Sequence, residues 1–282
     1  MIIDFHTHTF PDRIAAGAID QLSRKAHILP MTDATTGQLR RSMEKAGIDL
    51  SVVLPVATSP RQVEHINDSA ARANERARDT GILSFGCIHP DFEGYRAELA
   101  RIRSLGIRGI KIHPPYQGAC LDDERYARIV RKTESLGLIT VAHAGWDIGL
   151  PQRQWCSPDM ARRLLERTGA RRLVLAHMGG WRMWEEVCEK LADTSAFLDT
   201  SFSTGLLVPL EDGYYRDEDL VLMGQEEFLH MKDLFGAKRL LFGTDSPWSR
   251  QKESVEWMRA LPLEKEEIDA ILGLNARRLL KL

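Results

Sequence analysis

The sequence predicts an α/β protein, a (β/α)8 barrel with its active site at the C-terminal ends of the strands. Three observations lead to this fold class. Eight short apolar runs recur along the 282 residues, charged segments with helical periodicity separate them, and most of those segments end in glycine. Apolar runs without alternation are typical of parallel strands that are covered on both faces. The spacing of about 34 residues from strand to strand suits repeated βα units.

The strands and helices follow one another in a regular order. The eight predicted strands are Met1–Phe5, Leu50–Val56, Ile82–Ile88, Ile107–Ile112, Leu138–Ala142, Arg172–Ala176, Ala196–Asp199 and Arg239–Phe242. A glycine closes the helical segment before six of them, at Gly47, Gly81, Gly106, Gly137, Gly169 and Gly236. Glycine accepts the left-handed conformation that ends a helix, and Ser157-Pro158 has the cap and first-turn proline of a helix start. No linker is evident, so we expect one domain over residues 1–282; an open doubly wound sheet remains the alternative architecture.

The charge balance excludes some classes of partner. The chain has 38 basic and 40 acidic residues, so no excess of positive charge exists to bind nucleic acid or an anionic membrane surface. No apolar run approaches the length of a membrane helix, and the N-terminus lacks a signal-peptide pattern. We therefore expect a cytoplasmic protein with a small-molecule substrate. Its four scattered cysteines are expected to be reduced.

Six of the nine histidines follow the ends of predicted strands. These are His6, His8, His89, His113, His143 and His177, and the same ends carry Lys111, Asp199 and Asp245. Barrel enzymes place their chemistry at this face. The other three histidines, at positions 27, 65 and 230, are expected to be surface or packing residues.

The H-x-H pair at the first strand predicts a metal site. Residues two apart on a strand share a face, so His6 and His8 can both point into the barrel mouth. With His143 and Asp245 they form a set of three nitrogens and one oxygen, which suits Zn²⁺ and also Mn²⁺, Fe²⁺ or Co²⁺. Taken singly, an H-x-H pair or a strand-end histidine such as His89 is often only a packing or hydrogen-bonding residue.

At five of these strand ends the local sequence resembles the amidohydrolase superfamily, in particular its amidohydrolase-related branch around aminocarboxymuconate-semialdehyde decarboxylase. The matching stretches are Ile3-Asp4-Phe5-His6-Thr7-His8, Gly109-Ile110-Lys111-Ile112-His113-Pro114, Ala142-His143-Ala144-Gly145, Ala176-His177-Met178-Gly179-Gly180 and Phe242-Gly243-Thr244-Asp245-Ser246-Pro247. The resemblance extends over essentially the whole chain. It implies a (β/α)8 barrel in which His6, His8, His143 and Asp245 bind one divalent metal. It also implies that His177 acts near the metal-bound water as a base or electrostatic partner.

Lys111 and His113 are additional candidates for metal or substrate contact. Some members of the superfamily carry a carboxylated lysine on the fourth strand that bridges two metals. In this branch we expect instead an uncarboxylated Lys111 that pairs with a carboxylate such as Asp199 or contacts substrate. His113 lies on the same face and contacts substrate or supports the site.

Three functions are consistent with this set of residues. The main prediction is a metal-dependent hydrolase that cleaves an amide, ester or lactone bond, with His177 and Asp245 as the catalytic proton-transfer residues. The alternative is a non-oxidative decarboxylase of a small aromatic or unsaturated carboxylic acid. A metal-binding barrel without turnover is the third hypothesis.

The loops after the later strands are expected to form the substrate pocket. Trp146, Trp181 and Trp248 could wall it, and Arg153, like Arg182 and Arg250 in the same loops, could bind a substrate carboxylate. The long segment Ser201–Asp219 is too apolar for a free loop. We expect it either to cover the pocket as a lid or to form the interface of a homodimer.

Overall fold

The computed structural model describes residues 1–282 apart from the side chain at position 217. Eight parallel strands succeed one another along the chain. We label them β1 (Ile3–Thr7), β2 (Leu50–Val53), β3 (Ile82–Ser84, continuing as Gly86–Cys87), β4 (Gly109–Ile112), β5 (Ile139–Ala142), β6 (Leu173–Leu175), β7 (Phe197–Asp199) and β8 (Leu240–Leu241). Four of them, β2, β3, β6 and β8, end earlier than the apolar runs that predicted them, because the last apolar residues of those runs already belong to the loops, whereas β1 continues to Thr7.

The strands form a closed barrel. Each strand pairs in parallel with the next, from β1 to β8. The first and last strands then join, since the Phe5 amide donates to the Phe242 carbonyl at 2.8 Å and the Asp245 amide donates to the His6 carbonyl at 2.8 Å. The predicted (β/α)8 barrel is therefore confirmed, and the open sheet is excluded.

Helices follow the strands on the outside of the barrel. They are α1 (Asp12–Ala26), α2 (Thr36–Ala46), α3 (Val63–Asn74), α4 (Ala77–Thr80), α5 (Tyr95–Ser104), α6 (Pro114–Gln117), α7 (Glu124–Ser135), α8 (Pro158–Thr168), α9 (Trp184–Leu191), α10 (Gln225–Phe235), α11 (Gln251–Ala260), α12 (Lys265–Asp269) and α13 (Asn275–Leu280). Short 3₁₀ turns occur at Pro60–Gln62, His177–Gly179, Asp217–Asp219 and Ala237–Arg239, and a π-helical segment, Ala270–Leu274, joins α12 to α13.

The predicted helix ends are present at several places. Gly47 closes α2 with a φ of +68° and Gly169 closes α8 with a φ of +62°, a region that residues with a Cβ rarely adopt. At the other end of α8, the Ser157 hydroxyl accepts a hydrogen bond from the Met160 amide at 3.3 Å.

The barrel is closed at its N-terminal end. Phe5 and Phe85 meet edge to face inside it, with ring centroids 5.8 Å apart. Ala276, Leu279 and Leu280 of α13 pack against the same buried cluster. Since α13 covers this end, a substrate can reach the interior only from the C-terminal ends of the strands.

The helices in the described part of the chain lack the length and apolar character that a membrane span requires.

Candidate metal centre and pocket

The structure places the predicted site residues at one end of the barrel. His6 and Lys111 lie on β1 and β4, and Asp199 is the last residue of β7. The loops directly after the strands carry His8, His113, His143, His177 and Asp245. All are buried except His8, whose side chain is 21% exposed to solvent. His89 is also buried, but its nearest carboxylate is that of Asp91, at 3.9 Å.

His6, His8 and Asp245 form the tightest group of ligand atoms. Nε2 of His6 lies 3.2 Å from Nε2 of His8. The Oδ1 atom of Asp245 is 3.0 Å from Nε2 of His8 and 3.5 Å from Nε2 of His6. This oxygen is buried and has no hydrogen-bond partner within the described chain.

The partners of the two imidazoles determine their tautomers. Nδ1 of His8 is 2.9 Å from the Leu54 carbonyl, which can only accept, so we assign the hydrogen of His8 to Nδ1. Nδ1 of His6 is 2.9 Å from a carboxylate oxygen of Asp199, so the same argument holds there. Both Nε2 atoms are therefore left as lone pairs that face each other and Asp245.

Asp199 is held as an anion that orients His6. Burial by itself would raise the pKa of its carboxyl, but His6 and the hydrogen bonds it accepts lower that pKa to about 2. The Ser201 hydroxyl donates to its second oxygen. Burial, with the charge of Lys111, lowers the pKa of His6 to about 4, so this ring is neutral at pH 7.

Asp4 fixes the backbone that carries Asp245. Its Oδ1 accepts from the Thr244 amide at 3.0 Å, and its Oδ2 accepts from the Thr244 hydroxyl at 2.6 Å and the Gln251 amide group at 2.7 Å. Asp245 itself has a φ of +60°, which is uncommon for a residue with a Cβ. These bonds hold the Asp245 carboxylate against β1.

Lys111 adds a cation to the site. Its Nζ lies 3.2 Å from Nε2 of His6, and the side chain is fully buried. Burial lowers the pKa of Lys111 to about 8, against the opposing effect of Asp199 and Asp245. The predicted pairing with Asp199 is not made as a direct ion pair, because the two oxygens of Asp199 are occupied by His6 and Ser201.

The group of His6, His8 and Asp245 fits a divalent metal. Three acceptor atoms lie 3.0 to 3.5 Å apart with no hydrogen between them, and the Lys111 ammonium contacts only one of the three, Nε2 of His6. A cation placed among all three would stabilise them. A tetrahedral ion with bonds of about 2.1 Å needs ligand atoms about 3.4 Å apart. Burial would raise the pKa of Asp245, but His6 and His8 outweigh this effect and lower it, which keeps the carboxylate charged.

His143 is not part of this tight group. Its Nδ1 lies 3.0 Å from Nε2 of His177, and Nδ1 of His177 lies 3.1 Å from the Ser201 carbonyl. Because that carbonyl only accepts, the hydrogen of the neutral His177 ring is on Nδ1, and Nε2 of His177 accepts a hydrogen bond from Nδ1 of His143. Burial lowers the pKa of both rings. The His177 ring lies 5.4 Å from that of His6 and 4.8 Å from that of His143, measured between centroids.

A second polar group forms on the other side of His143. His113 and His143 stack with centroids 4.3 Å apart, and the Nε2 atoms of these two rings lie 3.7 and 3.8 Å from Oδ2 of Asp147. Burial raises the pKa of Asp147 to about 6. Asp147 was not predicted from the sequence; its position four residues after His143 in the same loop is the only signal.

A pocket of about 240 Å³ opens next to Asp147. Its other lining residues are Trp146, Ile148, Pro151, Trp181, Arg182 and Tyr215. The two tryptophans are held together by the approach of Gly145 to Trp181, where a Cβ on Gly145 would lie 2.1 Å from the Trp181 amide nitrogen.

The remaining predicted pocket residues lie outside this lining. Arg153 is exposed and its guanidinium lies 4.0 Å from the ring centroid of Trp155. Trp248 is half-buried against the core. Arg182 and Tyr215 take part in the lining instead, and Tyr215 comes from the segment Ser201–Asp219.

That segment crosses the C-terminal end of the barrel and pairs with residues that follow α1. The Leu29 amide donates to the Val208 carbonyl at 2.8 Å, and the Leu210 amide donates to the His27 carbonyl at 2.9 Å. The His27 ring bonds to Asp212 at 2.7 Å and stacks on Tyr214. The segment is thus bound to its own chain beside the pocket.

Comparison with known proteins identifies what the chain resembles. The sequence profile of one protein family, described as amidohydrolase, matches residues 3–282. This match confirms the resemblance that the motifs indicated. A comparison with curated proteins finds no match.

Several solved structures are similar over the whole chain. 5-Carboxyvanillate decarboxylase LigW from Sphingomonas paucimobilis has 18% identity and a TM-score of 0.69, and the match covers 100% of this chain and 99% of that chain. Dihydroxybenzoic acid decarboxylase from Polaromonas sp. JS666, with bound manganese and 2-nitroresorcinol, has 16% identity, a TM-score of 0.68 and coverage of 100% and 97%.

A further similar structure is described as a candidate hydrolase. This protein from Pseudomonas putida is a candidate 2-pyrone-4,6-dicarboxylic acid hydrolase, with 18% identity, a TM-score of 0.66 and coverage of 99% and 97%. Structures of 2,6-dihydroxybenzoate decarboxylase also match. At these identities the likeness concerns the fold.

Proposed function

This chain belongs to the amidohydrolase family, and from that premise we propose that it is a metal-dependent decarboxylase. Its substrate would be a small aromatic or unsaturated carboxylic acid. The observation that carries the proposal is the pairing of two features. Three converging acceptor atoms of His6, His8 and Asp245 suit a divalent cation, and a buried ammonium group on Lys111 lies 3.2 Å from Nε2 of His6. Together they suit a carboxylate-bearing substrate.

The similar structures favour decarboxylation over the hydrolysis that the sequence alone favoured. LigW and the Polaromonas protein are described as decarboxylases of aromatic acids, and the second contains manganese. The aromatic lining by Trp146, Trp181 and Tyr215 also suits a flat substrate. Because the chain belongs to a family of enzymes, we reject the third hypothesis, a metal-binding barrel without catalytic turnover.

The proposed metal ligands are His6, His8 and Asp245, with His143 as a fourth. His143 has a ring nitrogen, Nε2, without a partner in the described chain. A divalent metal, Zn²⁺ or Mn²⁺, would neutralise the oxygens of the bound substrate and act as a Lewis acid there. Asp199 and the Leu54 carbonyl hold the two β1-strand imidazoles with their lone pairs toward that position.

The chain's own residues would bind the substrate and move the proton. Lys111 attracts the substrate carboxylate into the buried site, and His113 supports the neighbouring ring of His143. When the bond to the carboxylate breaks and CO₂ leaves, the carbon left behind takes up a proton. His177 and Asp245 are the proton-transfer residues, since Nε2 of His177 accepts a hydrogen bond from His143 and Oδ1 of Asp245 has no partner in the described chain.

Hydrolysis is the second candidate function. The unpartnered Oδ1 of Asp245 could accept a proton from an attacking water, and one similar structure is described as a candidate 2-pyrone-4,6-dicarboxylic acid hydrolase. Both reactions would use the same ligands, so only the product distinguishes them.

The experiment that tests the proposal combines metal analysis with a substrate panel. The purified protein is analysed for bound metal and then assayed with aromatic and muconate-type carboxylates, lactones, esters and amides. We expect stoichiometric divalent metal and CO₂ release from at least one carboxylate. Turnover of lactones or esters without CO₂ release would favour the hydrolase, and protein that is active without metal would contradict both.

A further inference from the structure

Asp147 presents a free carboxylate oxygen at the inner end of the pocket. Its Oδ1 accepts a hydrogen bond from the Gly149 amide at 3.0 Å. Its Oδ2 has no hydrogen-bond partner within 3.5 Å in the described chain, and the residue is only 6% exposed. The residue lines the pocket, so this oxygen is available to a molecule that binds there.

The groups around Asp147 do not satisfy that oxygen. The Nε2 atoms of His113 and His143 are 3.7 and 3.8 Å away, beyond hydrogen-bond distance. Nε2 of His143 has no partner either. Lys25 makes no ion pair with Asp147 within 4.0 Å in the described chain. Because Oδ2 has no partner in the described chain and the residue lines the pocket, a donor that enters the pocket can bond to this oxygen.

The arrangement is less suited to a second metal ion. The distances from Oδ2 to the two imidazoles exceed the 3.0 to 3.5 Å found among His6, His8 and Asp245. The ligand atoms of His113, His143 and Asp147 all lie within 4.8 Å of one another, so this is a looser set than that of His6, His8 and Asp245.

We propose that Asp147 is a specificity-determining residue that accepts a hydrogen bond from a hydroxyl or amino group of the substrate. This inference rests on the proposed function, which supplies the aromatic or unsaturated carboxylate; Asp147 adds the requirement for a donor group on it. Charge orients such a molecule, because Asp147 repels a carboxylate while Lys111 attracts it. The substrate class is therefore a carboxylic acid with a hydrogen-bond donor on its unsaturated frame, away from the carboxylate.

Equilibrium binding tests the proposal without turnover. Calorimetry at pH 8 on manganese-loaded protein compares 3- and 4-hydroxybenzoate with 3- and 4-fluorobenzoate, which have nearly the same shape but lack the donor. We expect at least one hydroxyl compound to bind about tenfold or more tightly than its fluoro counterpart. In Asp147→Leu this preference should disappear, and in Asp147→Asn it should shrink because a neutral acceptor bonds more weakly.

Controls make each outcome decisive. Asp193→Asn changes an exposed aspartate that pairs with Arg162, and it should keep the full preference. No preference in the wild type, or a preference that persists in both Asp147 variants, would overturn the proposal. Loss of one of two bound metal ions in Asp147→Leu would overturn it in favour of a second metal site. Assaying CO₂ release in the same samples separates these results from a failure of the decarboxylase proposal.

Discussion

Single residues decide what the candidate metal centre can bind. In water, either ring nitrogen of His6 or His8 could carry the hydrogen. The Asp199 carboxylate and the Leu54 carbonyl each fix one ring nitrogen as a donor, which leaves both lone pairs directed at the same point as Asp245. The chemistry of the site therefore depends on partners that are not themselves ligands.

The first prediction concerns Asp199. Replacing it with Asn removes the charge that orients His6, and an amide can present a donor to the ring instead of an acceptor. We expect metal affinity to fall by about 10- to 100-fold, measured by competition with a chromogenic chelator. The exposed variant Asp193→Asn serves as the control, and unchanged affinity in Asp199→Asn would contradict the assigned tautomer.

The second prediction concerns Asp245. In Asp245→Asn the carboxylate can neither bind metal as an anion nor transfer a proton. We expect kcat on metal-saturated protein to fall by a factor on the order of 10² to 10⁴ or more, while the thermal unfolding midpoint stays close to that of the wild type. Near-normal kcat would exclude Asp245 from the reaction.

The sequence predicted part of this residue-level arrangement. His6, His8 and Asp245 could be found because strand ends of a barrel meet at one face, and the structure brings them together. Asp147, Ser201 and Asp4 could not be found in this way. An isolated Asp or Ser has no periodic signal, and its importance depends on which neighbour the folded chain brings within hydrogen-bond distance.

Among the larger elements, the segment Ser201–Asp219 has the clearest bearing on function. The sequence left open whether it is a lid or a dimer interface. Its pairing with residues 27–29 and the place of Tyr215 in the pocket lining favour a cover over the pocket. The length and apolar character of the segment were visible in the sequence, but its partner strand was not.

A truncation tests this element. Replacing residues 208–215 with a short glycine-serine linker should raise KM severalfold, because it removes Tyr215 from the pocket lining, and should lower the unfolding midpoint only slightly, because the buried Leu207 is kept. Light scattering on the same variant provides the second readout. A change from dimer to monomer with unaltered KM would show that the segment is an interface instead.

The whole molecule is a barrel that both ends of the chain complete. The Phe5 and Asp245 amides bond across the junction between β1 and β8, and α13 covers the N-terminal end of the interior. The sequence predicted the eight strands and their order from glycine-terminated helices. It could not predict the role of α13, because an apolar helix after the last strand could equally pack on the outside.

This closure predicts cooperative unfolding. We expect residues 1–282 to unfold as one unit in calorimetry, with the calorimetric enthalpy equal to the van't Hoff enthalpy. Two separate transitions in the metal-loaded protein would contradict a single domain.

The most direct test of the account is the fate of solvent isotopes during turnover. Metal-loaded protein is incubated with its best carboxylate substrate in D₂O and, separately, in water enriched in ¹⁸O, and the organic product is examined by NMR and mass spectrometry. The account predicts one deuterium at the carbon that lost CO₂ and no ¹⁸O in the organic product. Incorporation of ¹⁸O without loss of CO₂ would contradict decarboxylation and establish hydrolysis.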